Sequence, residues 1–222
     1  MDGPFLYALA HRTVGGYLRS RWRPTVAGLD NLPERGGAIL AANHLSVADQ
    51  VFLGILTPRH IAFWAKAEYF RAVGAAGYLT RHVVTGMGAI PVDRGGGRAA
   101  LTAFDAATPI LRAGGLVAIF PEGTRSPDGR LYRGRTGAVR LAHRAGVPII
   151  PVGIRGTDRL RARGALLPRR HPISITFGPA LQVHIDRPAD IRRHTDTLMG
   201  AIQKLTNQTY VPHHAPPTRQ PR

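Results

Sequence analysis

A chain of 222 residues with a hydrophobic share of 44% has the size and apolar content of one ordinary domain with a real core. It contains no cysteine, which excludes disulfide frameworks, zinc–cysteine sites and thiol nucleophiles. The formal charge of +17 comes almost wholly from arginine, since Lys66 and Lys204 are the only lysines; it marks a protein that seeks anions, such as nucleic acid, anionic lipid or an acidic carrier protein.

In chain order, Phe5, Leu6, Leu9, Val14, Tyr17 and Leu18 recur at near-helical spacing beside Arg12, Arg19, Arg21 and Arg23. They predict a helix over residues 1–23 that either lies on a membrane surface or packs on its own domain. The segment lacks a basic leader and is broken by His11, Arg12, Gly15 and Gly16, so it does not read as a secretory signal. No run approaches the roughly 20 apolar residues that cross a bilayer, the strongest being 51–56. The expectation is a peripheral protein at the cytoplasmic face of the cell membrane. Beyond this helix, β-like runs at 38–42, 60–64, 89–92, 116–120, 147–154 and 173–177 alternate with helical stretches at 48–56, 98–113, 136–145 and 189–207. That rhythm predicts an α/β domain over 24–210, with a central, mostly parallel or mixed sheet flanked by helices. Pro109 is expected to kink or shorten its helix. Residues 211–222, rich in Pro and His with little to bury, read as a flexible tail.

Two blocks carry candidate chemistry, each directly after an apolar strand-like run. In the first, Asn43 to Asp49, residues five apart lie about 140° apart on a continuous helix, so His44 and Asp49 can meet only if His44 precedes the helix. Ser46 is a good N-cap, which places Asp49 at the third helical position with its carboxylate directed back towards the entering chain. There it can orient an imidazole, or serve simply as half of a capping pair. The second block, Phe120 to Ser126, combines a Pro-Glu-Gly turn with Arg125, whose planar fork suits phosphate oxygens. Glu122 can accept from a substrate hydroxyl or hold an arginine in place. A further strand-like run, Gly88 to Arg94, delivers Arg94 to its end; by itself this is an ordinary surface Asp-Arg pair. The basic stretch 155–171, with Leu160, Ala165, Leu166 and Leu167 among its arginines, suits either anionic headgroups or a solvated loop.

Taken together these blocks resemble the glycerolipid acyltransferase family that includes 1-acylglycerol-3-phosphate O-acyltransferase. The N-H-x-x-x-x-D, G-x-I-x-V-D-R and F-P-E-G-T-R-S patterns match Asn43–Asp49, Gly88–Arg94 and Phe120–Ser126, and Val147–Gly153 matches the apolar fourth block, all in family order. Pro91 stands where a larger apolar residue is common. The resemblance implies that His44 is the general base and Asp49 its orienting partner. It also implies that Glu122, Gly123, Thr124 and Arg125, with Arg94 and Lys66, hold the acceptor's phosphate and glycerol. The implied reaction moves a fatty acyl group from acyl-CoA or acyl-carrier protein to a lysophospholipid acceptor, 1-acylglycerol 3-phosphate, or to glycerol 3-phosphate, another lysophospholipid or a glycolipid. Direct transfer to a hydroxyl needs a base and oxyanion donors but no enzyme nucleophile. In agreement, none of Ser20, Ser46, Ser126 or Ser174 lies in a G-x-S-x-G elbow. No P-loop and no H-E-x-x-H occurs, so no cofactor and no metal are expected. A nucleic-acid-binding protein is supported by charge alone, without a zinc finger, RNP signature or basic zipper, and no nucleic-acid partner is expected.

Overall fold

The computed structural model describes residues 3–71, 73–86, 88–92, 96–160 and 169–216. Helix α1 (Gly3–Trp22) leads into β1 (Thr25–Ala27), and a 3-10 turn (Leu29–Asn31) precedes β2 (Ala38–Ala42) and α2 (Ala48–Leu56). The chain continues through β3 (Ile61–Ala62), β4 (Trp64–Lys66), α3 (Ala67–Arg71), α4 (Gly74–Gly86), β5 (Ile90–Val92) and α5 (Gly96–Arg112). Then come β6 (Leu116–Ile119), β7 (Leu131–Tyr132), α6 (Gly137–Ala145) and β8 (Ile149–Arg155). A second 3-10 turn (Thr157–Leu160) is followed by β9 (Ser174–Phe177), α7 (Pro188–Thr206) and β10 (Tyr210–Val211).

The central sheet has six strands in the order β1-β9-β8-β2-β6-β3. All its pairs are parallel except β8 with β9, so the expected mixed sheet is present. Its middle strand, β2, is buried from end to end, which is why it reads as an unbroken apolar run rather than an alternating one. Successive side chains still serve opposite faces. Ala38, Leu40 and Ala42 join Phe52 and Leu53 of α2 on one side. Ile39 and Ala41 join Ala107 and Leu111 of α5, Val139 and Leu141 of α6, and Leu198 and Ile202 of α7 on the other.

Helix α1 is present as expected. Its residues Leu18 and Trp22 pack against the α2 face of the core, Trp22 meeting Phe52 edge-on, and Gly15 is buried against Ile55. Arg19 donates to the Ile55 carbonyl and Trp22 Nε1 to that of Arg169. Leu9, Val14 and Tyr17 remain exposed, while the side chains of Phe5 and Leu6 lie outside the described residues.

Three expectations are corrected. The run 89–92 is not a central strand: β5 pairs with β4 in a separate parallel ribbon, because the chain leaves the main sheet at Phe63, whose carbonyl accepts from the Ile90 amide. Of the kink or shortening expected at Pro109, the shortening is absent, since α5 runs to Arg112; the proline withdraws one donor, and the Ala113 amide still reaches the Pro109 carbonyl. The stretch from Val211 to Ala215 is not a loose tail. β10 pairs with β7, the Arg133 amide donates to the His213 carbonyl, and Val211 and Ala215 are buried against Tyr132. Removing residues 211–222 is therefore expected to cost about 2 kcal/mol of apolar burial and lower Tm by about 5 °C in a thermal melt, whereas a loose tail would leave Tm unchanged.

Candidate active site

Three adjacent parallel strands, β8, β2 and β6, end on the same edge of the sheet, where open α/β sheets gather ligands. Register sets what meets there. Ala41 pairs with Ile119 and Ala42 with Val152, which carries His44 level with Glu122 on one side and with Ile154 on the other. Side chains then lock the three ends together. Asn43, fully buried, donates its amide to the Ile154 carbonyl and accepts from the Ile154 amide, both at 2.8 Å. The His44 amide donates to Glu122 Oε1 at 3.0 Å, and the Ser126 amide donates to the His44 carbonyl at 2.7 Å.

His44 precedes α2, as the spacing requires, and its Nδ1 lies 2.8 Å from Asp49 Oδ2. The same oxygen accepts from the amides of Leu45 at 2.6 Å and Ser46 at 2.8 Å. Asp49 Oδ1 accepts from the Thr157 hydroxyl at 2.5 Å. Asp49 is thus completely buried and surrounded by donors, which assigns the shared proton to Nδ1 and leaves Nε2 as the basic nitrogen of the neutral ring. The imidazole is 14% exposed and stacks on Phe120 at 4.0 Å between centroids, so its plane is held on a second side. The helix begins at Ala48, with Val47 as its cap residue, one position later than Ser46 suggested; the Ser46 hydroxyl instead accepts from the Ala48 amide at 3.2 Å. The capping and orienting roles of Asp49 are not alternatives, because one carboxylate oxygen serves both.

Glu122, expected beside the acceptor, lies buried behind the turn that carries Arg125. It is 1% exposed, and its second oxygen accepts from the Tyr132 amide at 3.0 Å. The side chain braces the His44 loop against β7 instead of facing solvent. Burial pushes its carboxyl up from 4.5 to about 7, against the lowering effect of the Tyr132 and His44 amides; Asp49 and Asp128 add to the rise. Gly123 follows at φ +76°, a conformation that favours glycine, and a Cβ there would fall 2.7 Å from Arg135 Nε and displace that exposed side chain. Thr124 and Arg125 are half-buried on this loop, and among the described residues Arg125 makes no ion pair. The Ser126 hydroxyl closes the loop by donating to the Arg130 carbonyl and accepting from the Gly129 amide. Arg130 holds the Asp128 carboxyl down at about 2, with help from the Tyr132 hydroxyl.

Lys66 ends β4 opposite Val92, two positions before Arg94 in the sequence. Arg94 itself and the Lys66 side chain lie outside the described residues. The structure therefore brings together His44, Asp49 and the 120–126 loop, and adds residues to which sequence reasoning gave no role: Asn43, Phe120 and Thr157. Asn43 and Phe120 stood inside recognised blocks. Thr157, 108 positions from Asp49, had no local signal.

The whole arrangement, a histidine held by a buried aspartate at the edge of a mixed sheet beside an arginine-bearing turn, occurs in a chain that belongs to the acyltransferase family. Residues 23–155 match that family's model. Among named relatives, the 1-acyl-sn-glycerol-3-phosphate acyltransferase of Bacillus subtilis is 28% identical over 91% of this chain and 98% of its own length. The chloroplastic enzyme of that name from Brassica napus is 28% identical over 65% of this chain and 40% of its own, and that of Limnanthes alba is 33% identical over 65% and 50%. The chain thus spans half or less of these plant relatives. The crystal structure of the 1-acyl-sn-glycerophosphate (LPA) acyltransferase PlsC from Thermotoga maritima superposes with a TM-score of 0.69 at 23% identity, over 91% of this chain and 80% of that one, and establishes the shared fold.

The raised Glu122 carboxyl makes a signed prediction. The folded protein binds this proton more tightly than the unfolded chain, so the stability it contributes is complete below about 4.5 and is lost as pH rises through about 7. Relative to Glu122→Gln, which does not titrate, the wild type should lose up to about 1.4 kcal/mol per pH unit between pH 5 and 7. Urea unfolding of both proteins across that window measures it; a constant difference would show that the buried carboxyl does not hold the proton.

Proposed function

We propose that the protein transfers a fatty acyl group from a thioester donor to the sn-2 hydroxyl of 1-acylglycerol 3-phosphate, giving phosphatidic acid for phospholipid synthesis. The observation that carries the reading is the His44–Asp49 pair, which commits Nδ1 to a buried carboxylate and leaves Nε2 to act as base at the strand edge. Nε2 takes the hydroxyl proton as the oxygen attacks the thioester carbonyl carbon. The tetrahedral intermediate then expels the thiolate, which recovers that proton from the imidazolium, so acid and base balance within one cycle. Asp49 orients the ring and stabilises its charged form. Arg125, with Arg94 and Lys66, holds the acceptor's phosphate, and Gly123 and Thr124 shape the turn that presents it. Glu122 is a positioning residue in this scheme: it sets the His44 loop against the phosphate-binding turn. No metal or cofactor takes part in these steps.

The relatives' names support the acceptor, and the family supports acyl transfer. For the donor, an open cleft of about 360 Å³ beside Leu45 is lined by Arg155, Arg159 and His171 with Asp158 as its one carboxylate. That lining suits the phosphates of acyl-CoA or the acidic surface of an acyl-carrier protein. Contact with the membrane is peripheral in this proposal. Among the described residues no helix is long and apolar enough to cross a bilayer, while Leu9, Val14 and Tyr17 on α1, Val47 just before α2 and Val51 on it expose apolar surface in a strongly cationic chain.

A panel of acyl-CoA and acyl-carrier protein against lysophosphatidic acid, glycerol 3-phosphate and other lysolipids tests donor and acceptor together, and no turnover with lysophosphatidic acid would reject the reading. His44→Ala should lower kcat by about 10²- to 10⁴-fold. Arg125→Ala should raise the KM for lysophosphatidic acid about tenfold or more and leave the donor KM unchanged. Flotation with anionic liposomes should weaken in high salt and weaken further without residues 1–20; equal flotation by the truncated protein would make α1 a packing helix only.

A further inference from the structure

We infer that Thr157 is a positioning residue for acyl transfer, setting the His44–Asp49 pair through Asp49 Oδ1. The inference rests on the function proposed above and adds a residue that lies outside the recognised blocks and outside the matched segment 23–155. The donors around Asp49 are unequally divided. Oδ2 takes three, from His44 Nδ1 and the Leu45 and Ser46 amides, whereas Oδ1 takes the Thr157 hydroxyl. All three Oδ2 donors come from one short loop, so by themselves they leave the carboxylate free to tilt with that loop. The bond at Oδ1 comes from the far side, from the turn after β8, and stops the plane from rotating about Cβ–Cγ. Because Oδ2 also holds the imidazole, fixing the carboxylate plane fixes the direction of Nε2.

Thr157 is itself held firmly. It is 1% exposed, and the strand leading to it is clamped at Ile154 by both bonds of the Asn43 amide. Between them Gly156 turns at φ +84°, where a Cβ would fall 2.0 Å from the Pro172 carbonyl oxygen; no other residue brings the chain round at that point. Leu160, also buried, anchors the far end of the same turn. With Asp49 and Thr157 both sealed from solvent, removal of the hydroxyl leaves a carboxylate oxygen without its donor and a base without its aim.

The test is kinetic, with lysophosphatidic acid and an acyl-CoA as substrates. Thr157→Val, which keeps the shape and removes the donor, should lower kcat about tenfold at unchanged KM for either substrate. Thr157→Ser should stay within about twofold of wild type. On a His44→Ala background, Thr157→Val should cost nothing further, because a positioning residue has no effect once the group it positions is gone. Wild-type kcat in Thr157→Val, or an undiminished tenfold loss on the His44→Ala background, would overturn the inference; the second outcome would assign Thr157 to stability alone. If His44→Ala itself turns over normally, the base assignment falls and Thr157 falls with it, a result distinct from the other two. Should Thr157→Val fail to fold, Thr157→Ala, which adds no methyl to the buried site, carries the same expectations.

Discussion

A carboxylate removed from water must be met by donors or it destabilises the fold by several kcal/mol, and Asp49 is removed completely. Its donors come from the loop that leaves β2 and from the turn that leaves β8. Satisfying Asp49 therefore requires the loop 43–47 to fold back over the start of α2, β8 to lie directly beside β2, and the chain to turn sharply at Gly156. The central strand order and the local path at the site answer to the same requirement. What looks like a catalytic pair is also the joint that closes one edge of the sheet.

The two buried carboxylates at this edge are held in different ways, and the difference suits different work. Asp49 receives donors from the imidazole and the Thr157 hydroxyl as well as from main chain, so its geometry is coupled to two side chains, His44 and Thr157. Glu122 receives only backbone amides, one from the His44 loop and one from β7. Desolvation outweighs those two bonds and raises its carboxyl to about 7. Such a group is well placed to set the spacing between two loops, since both its oxygens accept from main chain. Phe120 completes the frame by stacking on the ring that Asp49 orients.

Around this edge the chain divides charge and apolar surface by element. The cleft beside Leu45 gathers Arg155, Arg159 and His171, while α1 and α2 keep apolar side chains outside. Helix α1 is docked by Gly15, Leu18, Arg19 and Trp22, so the two readings of its periodicity describe two sides of one helix: one packs on the domain, and the other leaves Leu9, Val14 and Tyr17 uncovered.

The amino-acid sequence by itself determined what is local. Apolar runs marked β2, β6 and β8; the five-residue spacing showed that His44 could meet Asp49 only by preceding the helix; and the Gly123 turn with Arg125 was readable as an anion-facing loop. These follow from side-chain period, backbone allowance and capping, which act over a few residues. Tertiary structure alone decided the rest, because each remaining feature depends on strand neighbours that no local pattern specifies. Whether 89–92 joined the main sheet turned on where the chain left it at Phe63. Residues 211–215 became ordered because β7 offered an open edge and Tyr132 an apolar surface. Glu122 turned inward because β7 and the His44 loop both presented amides to it. Thr157 reached Asp49 from 108 positions away because β8 pairs with β2, and only that pairing puts a hydroxyl where the second carboxylate oxygen needs a donor.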